Sequence, residues 1–115
     1  MILNVTPSEN HIKEGNYFGK ILTESESTDC KYLWLKIEID EIILNISISA
    51  NSPVLANFCK EIALEENIKD LSKFDTKFLV NKYVNLTLVD KEINSEIYSK
   101  IKSIRLNTEI ENVEF

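Results

Sequence analysis

The stretch "KYLWLKIEIDEIILNISISA", Lys31 to Ala50, decides the fold. Read with a two-residue period, Leu33, Leu35, Ile37 and Ile39 share one face, while Tyr32, Trp34, Lys36, Glu38 and Asp40 share the other. After Asp40-Glu41 the alternation resumes, with Ile42, Leu44, Ile46, Ile48 and Ala50 on one side and Ile43, Asn45, Ser47 and Ser49 on the other. A tight turn at Asp40-Glu41 sets Ile39 against Ile42, Ile37 against Leu44, Leu35 against Ile46 and Leu33 against Ile48. Every apolar residue then meets an apolar one, whereas a one-residue slip would turn the whole set toward water. The same register places Trp34 across from Ser47, Lys36 from Asn45 and Tyr32 from Ser49. Asp-Glu is poor chemistry for a two-residue turn, yet any loop of even length preserves this parity.

Before this hairpin, "NYFGKILTE" is predicted to be a strand in which Gly19 marks a bend or bulge, and "SESTD", Ser25 to Asp29, a polar loop. Residues 1–14 show no clear period, and Pro7 limits any strand there. After the hairpin the period changes. Ser52 can cap a helix and Pro53 suits its first position, with Val54, Leu55, Phe58, Cys59 and Ile62 at helical spacing. Beyond the polar break "EENIKD", Leu71, Phe74 and Phe78 suggest a second short helical segment. "NKYVNLTLVD" then alternates with Val84, Leu86 and Leu88 facing inward, and "KEINSE" reads as a turn. "IYSKIKSIRL" is the last strand, presenting Tyr98, Lys100 and Lys102 outward around Ile97 and Ile101. Its parity slips between Ile101 and Ile104, which predicts a bulge.

The expected architecture is mainly β: three strands, one helix, then two strands over residues 1–106, followed by a loose acidic tail, 107–115. This is the element order of the OB-fold, a five-stranded Greek-key barrel whose binding face lies on its second and third strands. Other small β-rich folds with one covering helix share it.

A chain of 115 residues that is 43% hydrophobic suits one domain with a single core. The sequence has no run of about 18 apolar residues for a membrane span and no basic-then-apolar start typical of a signal peptide, so a cytoplasmic location is expected. Cys30 and Cys59 are then expected to be reduced. His11, in a polar stretch, supports neither a zinc site nor a Cys–His pair. With Gly15 and Gly19 the only glycines, the chain has no Gly-rich phosphate loop. Acidic pairs at Asp40-Glu41 and Glu65-Glu66 fall at a turn and a helix end, where carboxylates are solvated. No catalytic residue, cofactor or metal is expected. The net charge of −6 argues against broad attraction to a phosphate backbone. Setting aside Glu109, Glu111 and Glu114 leaves 16 of the 19 acids against 13 basic residues, so the body carries only −3.

The informative surface is aromatic and basic. Tyr32, Trp34 and Lys36 on the second strand, Asn45 and Ser47 beside them, and Tyr98, Lys100 and Lys102 on the fifth form a candidate site for single-stranded nucleic acid. There, bases stack on rings while ammonium groups meet phosphates. Alternatively Trp34 and Tyr32 pack beneath the N-terminal segment or a loop, since aromatics are common in strands.

The runs "EGNYFGKILTE", "CKYLWLKIEID" and "LVNKYVNLTLVDKEINSEIYSKIKSIRL" resemble small phage-encoded single-stranded-DNA-binding proteins of OB-fold type. Gly15 and Tyr17 match their Gly-Xaa-Tyr opening strand, and Ile97-Tyr98 with Ile101 matches their closing strand. Asn81-Lys82 stands where Gly-Lys is usual, a modest departure because Asn tolerates left-handed backbone. The resemblance spans most of residues 15–106 and implies the fold more directly than the ligand. It implies a protein that coats single-stranded DNA, with Trp34, Tyr32 and Tyr98 as the stacking residues.

The ending "TEIENVEF" is similar to the acidic, aromatic-terminated tips of bacterial single-stranded-DNA-binding proteins, though without their longer acidic run and proline. It makes Glu111, Glu114 and Phe115 candidate partner-binding residues, against the plainer reading of a frayed terminus. A second functional class fits the charge: a small acidic inhibitor, of phage anti-defence type, that occupies a partner's nucleic-acid-binding or active surface through Tyr and Trp anchors. Edge strands of the sheet can also pair across a homodimer.

Overall fold

The computed structural model describes residues 8–108 of the chain. Its elements are β1 (Ser8–Glu9), β2 (Gly15–Glu26), β3 (Tyr32–Ile39), β4 (Ile42–Ser49), α1 (Pro53–Glu65), β5 (Tyr83–Ile93) and β6 (Glu96–Leu106). Two 3-10 turns, Leu71–Lys73 and Thr76–Leu79, lie between α1 and β5 where a second helical segment was expected. Asp70 and Asp75 cap them, each accepting a hydrogen bond from the backbone N–H two residues on.

The β3–β4 hairpin has the expected register throughout, from Tyr32 opposite Ser49 to Ile39 opposite Ile42, around a two-residue Asp40-Glu41 turn. Asp40 takes the left-handed conformation at φ 53°, which a short polar side chain tolerates. Leu33, Leu35, Ile37, Ile39, Leu44, Ile46 and Ile48 are all buried.

β2 organises the rest of the sheet. Its first half, Gly15 to Lys20, pairs with β5, and its second half, Lys20 to Glu26, pairs with β3. The polar loop after it therefore starts two residues later than "SESTD" implied. The bulge falls between Ile21 and Thr23 rather than at Gly19. Gly19 has a different role: a Cβ there would lie 2.8 Å from Ile37 Cγ2 and 2.9 Å from the Glu38 carbonyl oxygen. The missing side chain lets β2 press onto β3 where it changes partner. Asn81, at φ 70°, turns the chain into β5, and Asn81 N–H donates to the Ile21 carbonyl at 2.7 Å.

β5 and β6 form a long hairpin. The turn is two residues, Asn94-Ser95, both left-handed at φ 52° and 68°, a backbone that matches strand twist. Both strands therefore run further than the reading of "KEINSE" as a turn allowed. Beyond the body of the sheet no described residue buries this arm's outer side, and Ile97, expected to face inward, is 52% exposed. Lys102 is the extra residue of a bulge, with Thr87 opposite Ser103 and Leu88 opposite Ile101. The parity slip between Ile101 and Ile104 comes from this bulge.

α1 begins as its sequence suggests, with Ser52 Oγ accepting from Val54 N–H at 3.2 Å and Pro53 in the first turn. It ends in a Schellman motif: Asn67 is left-handed, Ile68 N–H reaches the Ala63 carbonyl at 2.8 Å and Asn67 N–H reaches that of Leu64 at 3.3 Å. Its buried face of Leu55, Phe58 and Ile62 joins the single core with Leu79, Val84, Leu86, Leu88, Ile101 and Ile104. Truncating the fully buried Phe58 ring to Ala would cost about 3–5 kcal/mol. Glu61 ties the helix to β6 through Arg105 Nε and Leu106 N–H.

The strand order is β1-β4-β3-β2-β5-β6. Among the described residues no ladder joins β4 to β6, so the sheet is open rather than a closed barrel. The N-terminal segment, whose sequence shows no clear period, spans this seam. Ser8 and Glu9 run parallel beside Ile43 and Leu44, and the Asn10 carbonyl accepts from Ser99 N–H at 3.1 Å. No helix among the described residues is long and apolar enough to cross a membrane.

Candidate functional site

Trp34 owes its exposure to its neighbours. Ser47 of β4 lies across from it on one side and Ser25 of β2 on the other. Two short side chains leave the indole standing above the sheet, 46% exposed, with Tyr32 similarly open at 45%. Among the described residues neither ring is buried beneath a loop or the N-terminal segment, although Asn10 of that segment lies in the same concavities as Trp34. Lys36 continues the face between Asn45 and Thr23.

The far half of the β5–β6 hairpin faces this surface. Lys91 pairs with Tyr98 and Val89 with Lys100. Between the two hairpins lies a cleft of about 590 Å³ lined by Tyr32, Trp34, Asn45, Ser47, Lys91, Ile93, Tyr98 and Lys100, with the buried Ile46, Ile48 and Ile101 also in its wall. A smaller depression of about 300 Å³ adjoins it, lined by Thr23, Ser25, Lys36 and Asn45. Trp34 borders both concavities and so partitions them.

Six of the residues singled out from sequence therefore meet in one cleft, and Lys36 lies in the depression beside it. Lys102 lines neither, because the bulge separates it from the Tyr98–Lys100 run. Lys91 and Ile93 were missed, having been read as part of a turn. The available signal is Asn94, which tolerates the left-handed first position of a two-residue hairpin loop, whereas Ser95 at the second position gives none. Glu111, Glu114 and Phe115 lie outside the described residues.

Lys36, Lys91 and Lys100 form no ion pair with a described residue. Lys82 and Arg105, remote from the cleft, are held by Glu65 with Glu66 and by Glu61 respectively. The Tyr98 hydroxyl donates to Glu96, and that hydrogen bond together with the carboxylate charge raises the phenol pKa above its ordinary value. Tyr98 is thus neutral at physiological pH, an amphipathic ring beside two cations. The cleft offers flat rings, ammonium groups and small hydroxyl and amide side chains, a set suited to binding. Among the described residues no three His, Cys, Asp or Glu side chains converge as a metal site would require. Cys30 and Cys59 are free thiols; burial pushes the Cys59 pKa up, and the Glu26 hydrogen bond and charge do the same for Cys30. Neither has the electropositive setting of a reactive thiolate.

Comparison with protein-family models and with curated proteins finds no match to this chain.

Proposed function

We propose that this chain is a non-catalytic, OB-type domain that binds single-stranded DNA along the Tyr32–Trp34–Lys36 face and in the cleft beside it. The observation that carries the reading is the exposed Trp34 ring between Ser25 and Ser47, bordering a cleft that holds Lys91 and Lys100, neither in an ion pair with a described residue. The OB reading is supported by the element order and by one bent strand, β2, shared between two partners. The resemblance to phage-encoded single-stranded-DNA-binding proteins points the same way.

Trp34 is the only tryptophan, so its emission reports on the site directly. Titration with a thymine oligonucleotide at low salt should quench it. If Lys36, Lys91 and Lys100 each meet a phosphate, log K should fall with log salt at a slope of about −2, from about 0.7 per phosphate on a single strand. Absence of quenching at micromolar oligonucleotide would overturn the reading. It would leave the acidic protein-binding inhibitor, which the net charge of −6 favours.

A further inference from the structure

On the outer face of β2 and β5 lies a second aromatic group that the cleft does not use. Phe18 and Tyr83 stack with centroids 5.8 Å apart and planes 7° from parallel, and Lys20 Nζ lies 5.6 Å from the Tyr83 ring centre. The register produces this cluster: Phe18 is opposite Asn85 and Lys20 opposite Tyr83, which makes the two rings diagonal neighbours on one face. Phe18 remains 44% exposed. Around the stack are amide and hydroxyl side chains, with Asn16 bonded to Thr87 and Asn85 to Asn107. The cross-strand pair helps to hold the two strands together, and among the described residues the outer side of Phe18 stays open for a further ring.

The patch is continuous with the Trp34 face. Thr23 flanks Lys36 and Ser25 flanks Trp34 on β2, and Lys20 lies opposite Glu38. From Trp34 to Tyr83 is four residues along β3, about 13 Å, and two strand spacings of about 4.8 Å each. OB-type domains cover about 4–16 nucleotides, so a single strand filling the cleft has enough length left to cross this surface.

We infer that Phe18, Tyr83 and Lys20 form a second contact for the same strand, a base lying on the open face of Phe18 and a phosphate at Lys20. The inference rests on the single-strand reading of the cleft and adds a path to it: strands longer than the cleft run across β3 and β2 toward β5. The test compares thymine oligonucleotides of about four and about sixteen nucleotides, the two ends of that site-size range, by anisotropy on the full chain. Phe18→Leu removes the ring while keeping apolar cover on Tyr83, and its urea midpoint verifies the fold. It should weaken the longer oligonucleotide about 5- to 150-fold, one base stack converted at about 1.4 kcal/mol per decade, and leave the shorter one unchanged. Lys20→Gln should lower the salt slope by about 0.7 for the longer strand only. If Phe18→Leu binds both as wild type does, or weakens both equally, the second contact is refuted while the cleft reading stands. If wild type binds neither oligonucleotide, the cleft reading fails and this one fails with it.

Discussion

Replacing Trp34 and its neighbour Leu35 separately by Ala splits binding from folding within one strand. Leu35 is 2% exposed and lies opposite Ile46 in the core, so Leu35→Ala should cost about 2–5 kcal/mol of stability. Trp34 points to the other face between two serines, where it has little to pack against. Truncation there forfeits cross-strand contacts worth about 0.2–1 kcal/mol. Its effect on binding should be the larger one: one lost base stack of about 1–3 kcal/mol, or about 5- to 150-fold in Kd. Urea denaturation gives the first quantity, and anisotropy of a labelled thymine oligonucleotide, which needs no tryptophan, gives the second. Trp34→Phe should fall between wild type and Trp34→Ala in affinity, since it keeps a smaller ring. A Trp34→Ala protein as destabilised as Leu35→Ala would show that the indole is structural. One that folds normally and binds as tightly as wild type would show that bases do not stack there.

Gly19→Ala should destabilise the protein by about 1–3 kcal/mol in urea, because the new Cβ meets the Glu38 carbonyl, which cannot swing aside as a side chain can; a neutral outcome would disprove the close approach of β2 and β3. At Lys82 burial lowers the ammonium pKa, but the hydrogen bonds it donates to Glu65 and Glu66, with the charges of those carboxylates, outweigh it and leave the pKa raised. A pKa raised by folding contributes stability below the ordinary lysine value and loses it as pH climbs through the folded one. Lys82→Met should therefore lower stability at pH 7, where Glu65 and Glu66 lose their counter-charge, and flatten the alkaline fall. Stability at pH 7 unchanged by Lys82→Met would refute this account.

The β3–β4 hairpin was readable from sequence because two apolar sets fix the parity of the pairing, and the shortest even loop, Asp40-Glu41, fixes its register. The Lys102 bulge was readable because a slip in parity has no other cheap explanation. The arm of β5 and β6 was not: Ile93 and Ile97 are both exposed, so apolar alternation carries no information about the strand there. Nor was β1, since two residues of parallel pairing set up no period. Gly19 was noticed but misjudged, because its reason lies in Ile37 and Glu38, distant in sequence. For the candidate site, Trp34, Tyr32 and Lys36 follow from alternation alone. That Tyr98 and Lys100 face them depends on how β2 bends, a tertiary property.

The seam between β4 and β6 gives the cleft a mechanical character. Its two walls, β3–β4 and β5–β6, are each stiff antiparallel ladders, yet across the described seam they are tied by two residues of parallel pairing and the few hydrogen bonds of Asn10 and Ile12 to Ser99. On the opposite side the walls are joined by full ladders through β2, which pairs with both β3 and β5, so the seam is the thinner of the two connections. A guest that demanded more width would therefore load residues 8–12 first, of which only Asn10 lines the cleft itself.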